Sequence, residues 1–348
     1  MTELLAPDQQ MAARKCASCP KMCRSACPTL AVTHNERHQP WGHARQIVEA
    51  VNRGDAQGFA DPELVDSVYA CATCSACTPP CHVDGVETPL LAWAARAAVH
   101  RAGATPSAGL EAVDMAGQGV VPTLDGRWTD PSATLDELRA TATPGADLLL
   151  FPGCGALGRN PQAAVAGARA LAAAGVAYDV AAEHRCCGMV ARTFGDEAAA
   201  AAMRDAVLRA AEGRTLTVQS PSCAFHLGAE PLAATLARRG AAGSGRRGTV
   251  AYHDPCYLGR HRSIREEPRQ ALRAAGYEVV ELPHHGDATR CSGQGGGLPL
   301  THPDIAAGYL RLLAEDAGAQ RVVTGCPSCA AALRGAGVDA MELSEALQ

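Results

Sequence analysis

The spacing of apolar residues divides the chain into two parts, and the first part has a helical pattern. Pro40 opens a segment, Trp41 to Val51, in which apolar residues recur on one helical stripe. Two dipeptides, Asp61-Pro62 and Thr88-Pro89, each supply an N-cap followed by a first-turn proline. The sequence therefore predicts helices after both dipeptides, the second running from Leu90 to His100.

From Asp147 onward, short apolar runs alternate with alanine-rich helical segments. The runs that precede cysteines are Leu148 to Phe151, Leu216 to Gln219, Val250 to Tyr252 and Val322-Val323. Alternating strands and helices predict a parallel sheet with helices on its faces, and such sheets bind ligands beyond the carboxyl ends of the strands. We therefore expect the cysteines at that edge.

The second part repeats once. The cysteine pairs Cys154/Cys256, Cys186/Cys291 and Cys223/Cys326 are separated by 102, 105 and 103 residues. An internal duplication explains this spacing. The predicted fold class is α+β with several domains: a helical domain at 10–100, a linker at 101–146 with one helix near Leu110 to Ala116, and two α/β halves with parallel sheets at 147–245 and 246–348.

Two runs of four cysteines lie in the helical part. They are Cys16, Cys19, Cys23 and Cys27, followed by Cys71, Cys74, Cys77 and Cys81. The second run has the C-x2-C-x2-C-x3-C spacing of bacterial ferredoxins. Structural zinc closes with four ligands and needs no triad followed by a fourth cysteine beside proline. The start of the chain has no signal-peptide pattern, so we expect a cytoplasmic protein, in which a disulfide framework is disfavoured. The sequence predicts two 4Fe-4S clusters.

Charge and composition exclude other classes of function. The chain has 31 basic and 36 acidic residues, a formal charge of -5, and 4% aromatic residues. Neither a phosphate-binding stripe nor a base-stacking platform is visible, so nucleic acid is not an expected partner. The longest apolar stretch, Ala163 to Ala182, is interrupted by Arg169 and Asp179, so a membrane anchor would have to come from another protein chain.

Residues 10–100 resemble the α-helical ferredoxin domain found in the iron-sulfur protein of succinate dehydrogenase and in the C subunit of heterodisulfide reductase. The resemblance implies that the fourth cysteine of each run crosses over. One cluster would take Cys16, Cys19, Cys23 and Cys81, and the other Cys71, Cys74, Cys77 and Cys27. Two departures are the three residues between Cys19 and Cys23, and His82 in place of proline after Cys81.

Residues 147–348 resemble the tandem cysteine-rich CCG domain. The motifs are Phe151-Pro-Gly-Cys154, Cys186-Cys187-Gly188, Ser220-Pro-Ser-Cys223, Tyr252-His-Asp-Pro-Cys256, Cys291-Ser-Gly-Gln-Gly-Gly-Gly297 and Cys326-Pro-Ser-Cys329. The family includes the B and D subunits of heterodisulfide reductase, the iron-sulfur protein of glycolate oxidase, the lactate utilisation protein A type and the C subunit of anaerobic glycerol-3-phosphate dehydrogenase.

In the B subunit of heterodisulfide reductase, each motif holds a noncubane four-iron cluster through five cysteines. The resemblance implies ligands Cys154, Cys186, Cys187 and Cys223 in the first half, and Cys256, Cys291, Cys326 and Cys329 in the second. His226 and Ser292 stand at the remaining positions and are candidates for additional ligands. A hydroxyl is a far poorer ligand than a thiolate, so the second half would hold an ordinary four-thiolate cluster or none. A third cluster, cubane or noncubane, is therefore one interpretation of these cysteines. The other is that they are buried small residues that bind no cluster.

Further residues near the motifs have two interpretations each. His253 and Asp254 precede Cys256 and are candidates for orienting it, while a turn-forming Asp-Pro is the alternative. His226 is equally interpreted as a polar residue on the first turn of a helix. The glycines of Gly293–Gly297 are not followed by Lys-Ser/Thr and do not form G-x-G-x-x-G, so we expect them to make room for a cofactor or partner.

The leading functional hypothesis is an iron-sulfur electron-transfer subunit of a flavin-linked oxidoreductase. Because no flavin or nicotinamide fingerprint is visible, its partner would be an FAD- or FMN-dependent flavoprotein or an electron-transfer flavoprotein, followed by a membrane-anchored or quinone-reactive subunit. The resemblance implies oxidation of a small 2-hydroxy acid or glycerol phosphate. One alternative is reduction of a disulfide at a CCG cluster, as in heterodisulfide reductase. The other is a redox sensor or cluster scaffold, and no output domain is evident.

Overall fold

The computed structural model describes residues 4–239 and 245–348. Residues 240–244, which the predicted bounds place at the end of the first CCG half, lie outside the described residues. The described residues form two compact units. The first unit comprises residues 4–113, Val190–Ala200 and Gly293–Tyr309, and the second comprises Asp114–Met189, Ala201–Ser292 and Leu310–Gln348.

The N-terminal part of the chain is helical, as predicted. Its helices are α1 (Pro7–Ala17), α2 (Pro28–Thr33), α3 (Pro40–Arg53), α4 (Pro62–Tyr69), α5 (Thr88–Arg101) and α6 (Ser107–Gly117). Proline occupies the first turn of the first five, where its missing N–H costs nothing. The Asp61 carboxylate caps α4 as expected, whereas α5 begins at Thr88, two residues before the predicted Leu90, and its N-cap residue Glu87 forms no side-chain cap hydrogen bond.

Residues 118–146, most of the predicted linker, carry regular structure. A short antiparallel hairpin pairs β1 (Val121–Pro122) with β2 (Trp128–Thr129), and α7 (Ser132–Arg139) follows. Leu135 and Leu138 of α7 are buried, together with residues of the second unit's main core. This segment therefore packs through its few apolar residues although its composition is that of a loop.

The first CCG half contains a four-stranded parallel sheet. Its elements are β3 (Leu148–Phe151), a π-helix (Gly155–Arg159), α8 (Pro161–Ala173), β4 (Asp179–Val180), α9 (Met189–Thr193), α10 (Glu197–Ala210), β5 (Thr215–Val218), α11 (Pro221–Leu227), β6 (Glu230–Pro231) and α12 (Leu232–Arg239). The strand order is β4-β3-β5-β6.

The second half repeats this plan. Its elements are β7 (Gly248–His253), α13 (Cys256–Gly259), α14 (Glu266–Ala274), β8 (Tyr277–Glu281), α15 (Leu298–Thr301), α16 (Pro303–Ala317), β9 (Val322–Thr324), α17 (Pro327–Gly335), β10 (Ala340–Glu342) and α18 (Leu343–Ala346). All pairs are parallel, in the order β10-β9-β7-β8. Each sheet keeps its first strand in the interior beside the third, which confirms the predicted tandem α/β halves.

A buried ion-pair network fixes the end of β7. Arg269 of α14 donates to both carboxylate oxygens of Asp254 at 2.7 and 2.8 Å, and to both oxygens of Glu281 at 2.8 and 2.6 Å. Burial opposes ionisation of Asp254, but the hydrogen bonds from Arg269 and from the amide of Gly286 outweigh it and lower its pKa. Both Asp254 oxygens are thus engaged within the fold.

We expect Arg269→Met to lower the free energy of unfolding by about 3–5 kcal/mol, because it leaves the buried Asp254 carboxylate without its counter-ion. Urea denaturation followed by circular dichroism measures this loss. Arg273→Met is the matched control, since Arg273 lies on the same helix with half of its side chain exposed. An equal effect of both substitutions would contradict the prediction.

Candidate metal centres

One group of cysteines surrounds a cavity in the first unit. We call it set A, and its members are Cys16, Cys19, Cys23 and Cys81. They line a cavity of about 240 Å³ together with apolar side chains. Burial, followed by the neighbouring cysteines of the same set, raises the pKa of Cys16 to about 12 and that of Cys23 to about 11.

A second group of cysteines in the first unit, set B, consists of Cys27, Cys71, Cys74 and Cys77. Burial is the largest cause that raises the pKa of Cys27, to about 12, and Cys71 and Cys74 add to it. The pKa of Cys77 is raised by burial and by all three other members. The structure therefore groups the fourth cysteine of each run with the first three of the other run, which is the grouping that the ferredoxin resemblance implies.

The local backbone turns amide groups toward several of these sulfurs. The amide of Lys21 donates to Cys19 Sγ at 3.4 Å, and the amide of Thr73 donates to Cys71 Sγ at 3.3 Å. Lys21 and Thr73 both have positive φ, of 63° and 50°. Such tight left-handed turns expose backbone N–H groups to sulfur, and N–H donors stabilise thiolate ligands and tune cluster potential.

The segment 38–40, which leads into α3, contacts both sets: the Cys16 thiol donates to Pro40 O at 3.7 Å and the Cys27 thiol donates to His38 O at 4.0 Å. The side chains of Gln39 and His43 are buried here; the amide atoms of Gln39 have no hydrogen-bond partner within the described chain, and the His43 ring lies near the backbone of His38. Burial, then the charges of nearby side chains, lowers the pKa of His43 to about 3, so the ring is neutral and keeps one N–H. Buried donors require acceptors, and cluster sulfurs accept N–H hydrogen bonds.

The donor set fits iron-sulfur clusters better than a mononuclear metal. Across residues 4–239 and 245–348, no three His, Cys, Asp or Glu side chains are arranged to hold a single metal ion. A cubane instead takes four thiolates, one at each iron, and N–H donors around its sulfurs. Sets A and B provide both features.

The first CCG half brings four sulfurs together in the second unit. We call Cys154, Cys186, Cys187 and Cys223 set C. Cys154 follows β3 and Cys223 lies in α11, so both stand beyond the carboxyl ends of parallel strands. Hydrogen bonds from Cys186 and Cys223 lower the pKa of Cys187, and the amide of Gly188 donates to Cys186 Sγ at 3.4 Å. His226 lies one turn after Cys223 on α11, and its charge contributes to lowering the pKa of Cys187.

The cysteines of the second CCG half form set D, which consists of Cys256, Cys291, Cys326 and Cys329. A hydrogen bond with Cys326 and burial raise the pKa of Cys329, and Cys256 adds to the shift. Ser292 Oγ lies 3.1 Å from Cys329 Sγ, so the hydroxyl is within hydrogen-bonding distance of a sulfur of set D. Cys291 is buried beside Ser292 in the chain.

His253 connects the loops that carry set D. Its Nδ1 lies 3.0 Å from Thr324 Oγ1, and its Nε2 lies 3.0 Å from Arg290 O. Thr324 ends the strand before Cys326, and Arg290 precedes Cys291. Burial lowers the pKa of His253, so the neutral ring links the loops of both cysteines.

The two halves also approach each other within the second unit. A Cβ on Gly155 would lie 2.6 Å from Ser328 Oγ, and Asn160 Nδ2 donates to Pro327 O at 3.4 Å. Arg159, at the end of the intervening π-helix, acts electrostatically on Cys154, Cys326 and Cys329. This arginine was not a candidate from the sequence, because only the fold brings it between cysteines of the two halves.

Two residues of the glycine-rich segment have neighbours within the first unit. A Cβ on Gly296 would lie 2.6 Å from the backbone of Ala72, and one on Gly297 would lie 2.7 Å from the ring of Phe194. Both glycines have positive φ. The sequence predicts that these glycines make room for a cofactor or partner, but at Gly296 and Gly297 the chain itself fills that room.

The class of protein follows from matches to two domain families. Residues 148–228 and 250–334 match the cysteine-rich CCG domain, and residues 12–84 match the 4Fe-4S dicluster domain. The chain belongs to the CCG cysteine-rich domain family and carries an N-terminal 4Fe-4S dicluster domain. It accordingly has two 4Fe-4S clusters and a further iron-sulfur site.

The individual relatives that the chain resembles carry the names of redox proteins. The chain is 32% identical over 330 residues to a probable membrane-anchored ferredoxin of Chromohalobacter salexigens, and the match covers 78% of the chain and 46% of that relative. It is 28% identical over 305 residues to the D subunit of dihydromethanophenazine:CoB--CoM heterodisulfide reductase of Methanosarcina mazei, with 77% of the chain and 72% of the relative covered. A 48-residue stretch, 14% of the chain and 7% of the relative, is 44% identical to EtfAB:quinone oxidoreductase of Syntrophomonas wolfei.

The chain spans about half the length of the membrane-anchored ferredoxin that it matches. Over residues 4–239 and 245–348, none of the helices has both the length and the apolar character that crossing a bilayer requires.

We expect His253→Phe to destabilise the second unit by about 1–3 kcal/mol, because Thr324 and Arg290 lose a buried hydrogen-bond partner. The free energy of unfolding in urea measures the loss. A double-mutant cycle with Thr324→Val isolates the contact with Thr324, and His285→Phe, at an exposed histidine, is the control. Additive effects of the two substitutions would show that His253 and Thr324 do not act together.

Proposed function

We propose that the chain is the iron-sulfur electron-transfer subunit of a flavin-linked oxidoreductase. The observation that carries the proposal is the grouping of eight cysteines into sets A and B, with the segment 38–40 within 4.0 Å of a sulfur from each. Two one-electron centres that share a protein segment form a relay. The 4Fe-4S clusters supply one-electron chemistry, whereas hydride chemistry belongs to a flavin on another chain.

The proposed ligands follow the four sets. Sets A and B each hold one 4Fe-4S cluster, while the amides of Lys21 and Thr73 and the side chains of Gln39 and His43 donate N–H groups to the sulfurs around them. Set C, with His226 as a candidate additional ligand, holds the further iron-sulfur site. Set D holds a four-thiolate cluster or none, because Ser292 stands where a bridging thiolate would be needed.

The proposed partners are a flavoprotein with FAD or FMN, or an electron-transfer flavoprotein, and a quinone-reactive or membrane-anchored subunit. The names of the relatives from Syntrophomonas wolfei and Chromohalobacter salexigens support partners of these two kinds. A reduced flavin on such a partner would supply its two electrons to this chain one at a time, and its protons would pass to solvent. We place this activity in the cytoplasm, peripheral to the inner face of the membrane through a partner.

A second candidate function is reduction of a disulfide at the set C site. The contact of Cys187 with both Cys186 and Cys223 favours it, because the vicinal pair of a CCG motif is complete there. The similarity to the heterodisulfide reductase of Methanosarcina mazei also supports this candidate. The hydroxyl of Ser292 in the second half weighs against two equivalent catalytic clusters.

The ligand sets predict which variants share a spectroscopic defect. Cys16→Ser and Cys81→Ser should remove the same electron paramagnetic resonance signal, and Cys27→Ser and Cys71→Ser should remove the other one, because one missing thiolate destabilises its own cluster. Iron and acid-labile sulfide counts on anaerobic protein accompany the spectra, with about eight irons expected for sets A and B together. Ser25→Ala, at an exposed position in the first cysteine run, is the control.

A shared defect of Cys16→Ser and Cys27→Ser, and not of the pairs above, would mean that each run binds its own cluster.

If the chain accepts electrons from a flavin, reduction of its clusters should bleach their visible absorbance. The visible absorbance of the anaerobic protein should fall when a reduced flavoprotein encoded nearby is added, and should recover with a quinone analogue and a membrane fraction. No bleaching by any such flavoprotein would contradict the proposal. Turnover of a heterodisulfide with reduced viologen would instead favour the second candidate, because a relay alone gives no turnover.

A further inference from the structure

Arg96 is completely buried in the first unit, at 0% exposure, and is the largest such side chain of the described residues. It lies in α5, where the residues before and after it are mostly alanine and other apolar residues. Burying a guanidinium costs several kcal/mol unless hydrogen bonds and opposite charge compensate. A basic residue at this position therefore needs a specific reason.

Part of the compensation comes from backbone carbonyl groups of separate segments. Arg96 Nε and Nη2 donate to Val68 O at 3.1 and 2.8 Å, and Nη2 donates to Cys71 O at 2.5 Å. Nη1 donates to Thr193 O at 3.2 Å and to Gly296 O at 3.0 Å. The guanidinium thereby fixes the end of α4 and the first residue of the set B loop.

The carbonyl acceptors are held at close range by glycines. A Cβ on Gly195 would lie 2.1 Å from Arg96 O, and one on Gly296 would lie 2.6 Å from the backbone of Ala72. Both residues have positive φ, of 84° and 62°. The segments Val190–Ala200 and Gly293–Tyr309 can therefore pack directly on α5 and on the set B loop, where they enclose the guanidinium.

The charge of Arg96 acts on set B. Arg96 Nη2 lies 2.5 Å from Cys71 O, so its permanent positive charge lies beside the residue that supplies one thiolate of set B.

We propose that Arg96 is a positioning residue for the cluster of set B, which holds the Cys71 loop in place and raises the midpoint potential of that cluster. Reduction adds one electron and makes the cluster more negative, and a buried positive charge stabilises the more negative state. Arg96 therefore biases an electron shared between the two clusters toward set B. This inference rests on the ligand sets of the proposed function.

A redox titration followed by electron paramagnetic resonance tests the proposal on anaerobic full-length protein. Arg96→Met and Arg96→Gln remove the charge, Arg96→Lys keeps it, and Arg101→Met removes a partly exposed charge from the same helix. We expect both neutral variants to lower the midpoint of only the signal that Cys71→Ser abolishes. Arg96→Lys and Arg101→Met should leave that midpoint near the wild-type value.

Several results would overturn this role. They are an unchanged midpoint in a neutral variant that keeps its iron, an equal shift of both signals, and a shift in Arg96→Lys as large as in the neutral variants. If neither neutral variant retains the set B cluster, Arg96→Lys becomes the deciding variant. Loss of iron from Arg96→Lys, or a lowered midpoint potential in that variant, then counts against the proposal. Failure of Cys27→Ser and Cys71→Ser to remove the same signal would separately contradict the ligand sets.

Discussion

Burial of cysteine sulfur is the constraint on which the structure depends. The pKa values of Cys16, Cys27 and Cys77 are raised chiefly by burial, and like charges from neighbouring cysteines add to the effect. A thiolate ligand must lose its proton, so iron binding in these sets works against the desolvation of the sulfur and is coupled to folding around it. The backbone amides that point at Cys19, Cys71 and Cys186 lower that cost locally.

The two sheets have the same topology, but the cysteine sets at their edges differ in chemistry. In each half a cysteine follows the first strand, Cys154 after β3 and Cys256 after β7, at the edge where parallel strands end. Hydrogen bonds among sulfurs lower the pKa of Cys154 and Cys187 in the first half and that of Cys326 in the second. In the second half Ser292 provides a hydroxyl at 3.1 Å from Cys329. A hydroxyl donates a hydrogen bond to a thiolate more readily than it binds iron, so the halves are chemically unequal despite equal topology.

The sequence predicted the elements whose signals are local. The strand Leu148–Phe151 has the predicted bounds, and the helix Pro40–Arg53 begins at the predicted proline, because apolar runs and first-turn prolines act within a few residues. The helix Ser132–Arg139 was missed, since its stabilising contacts come from Leu135 and Leu138 packing into a distant core. Composition around it indicated only a linker.

The candidate site shows the same division between local and distant signals. Cysteine spacing is a local pattern, so the two N-terminal runs could be recognised from the chain, whereas the exchange of their fourth members and the membership of sets C and D were implied by the family resemblance. Gln39, Arg96 and Arg159 could not be recognised, because each has an ordinary sequence neighbourhood and acquires its role only when distant segments close around it.

Arg96 and Arg159 suit sites that concentrate negative charge. Arg96 donates to the carbonyls of Val68, Cys71, Thr193 and Gly296 from one planar group. Arg159 in the second unit interacts with cysteines of both halves. A guanidinium stays protonated through any change in the charge of its neighbours, so it can offset the charge of thiolates and of reduced clusters without exchanging protons. A chain that carries electrons singly gains from such fixed cations, because each reduction then needs no coupled protonation of the surrounding side chains.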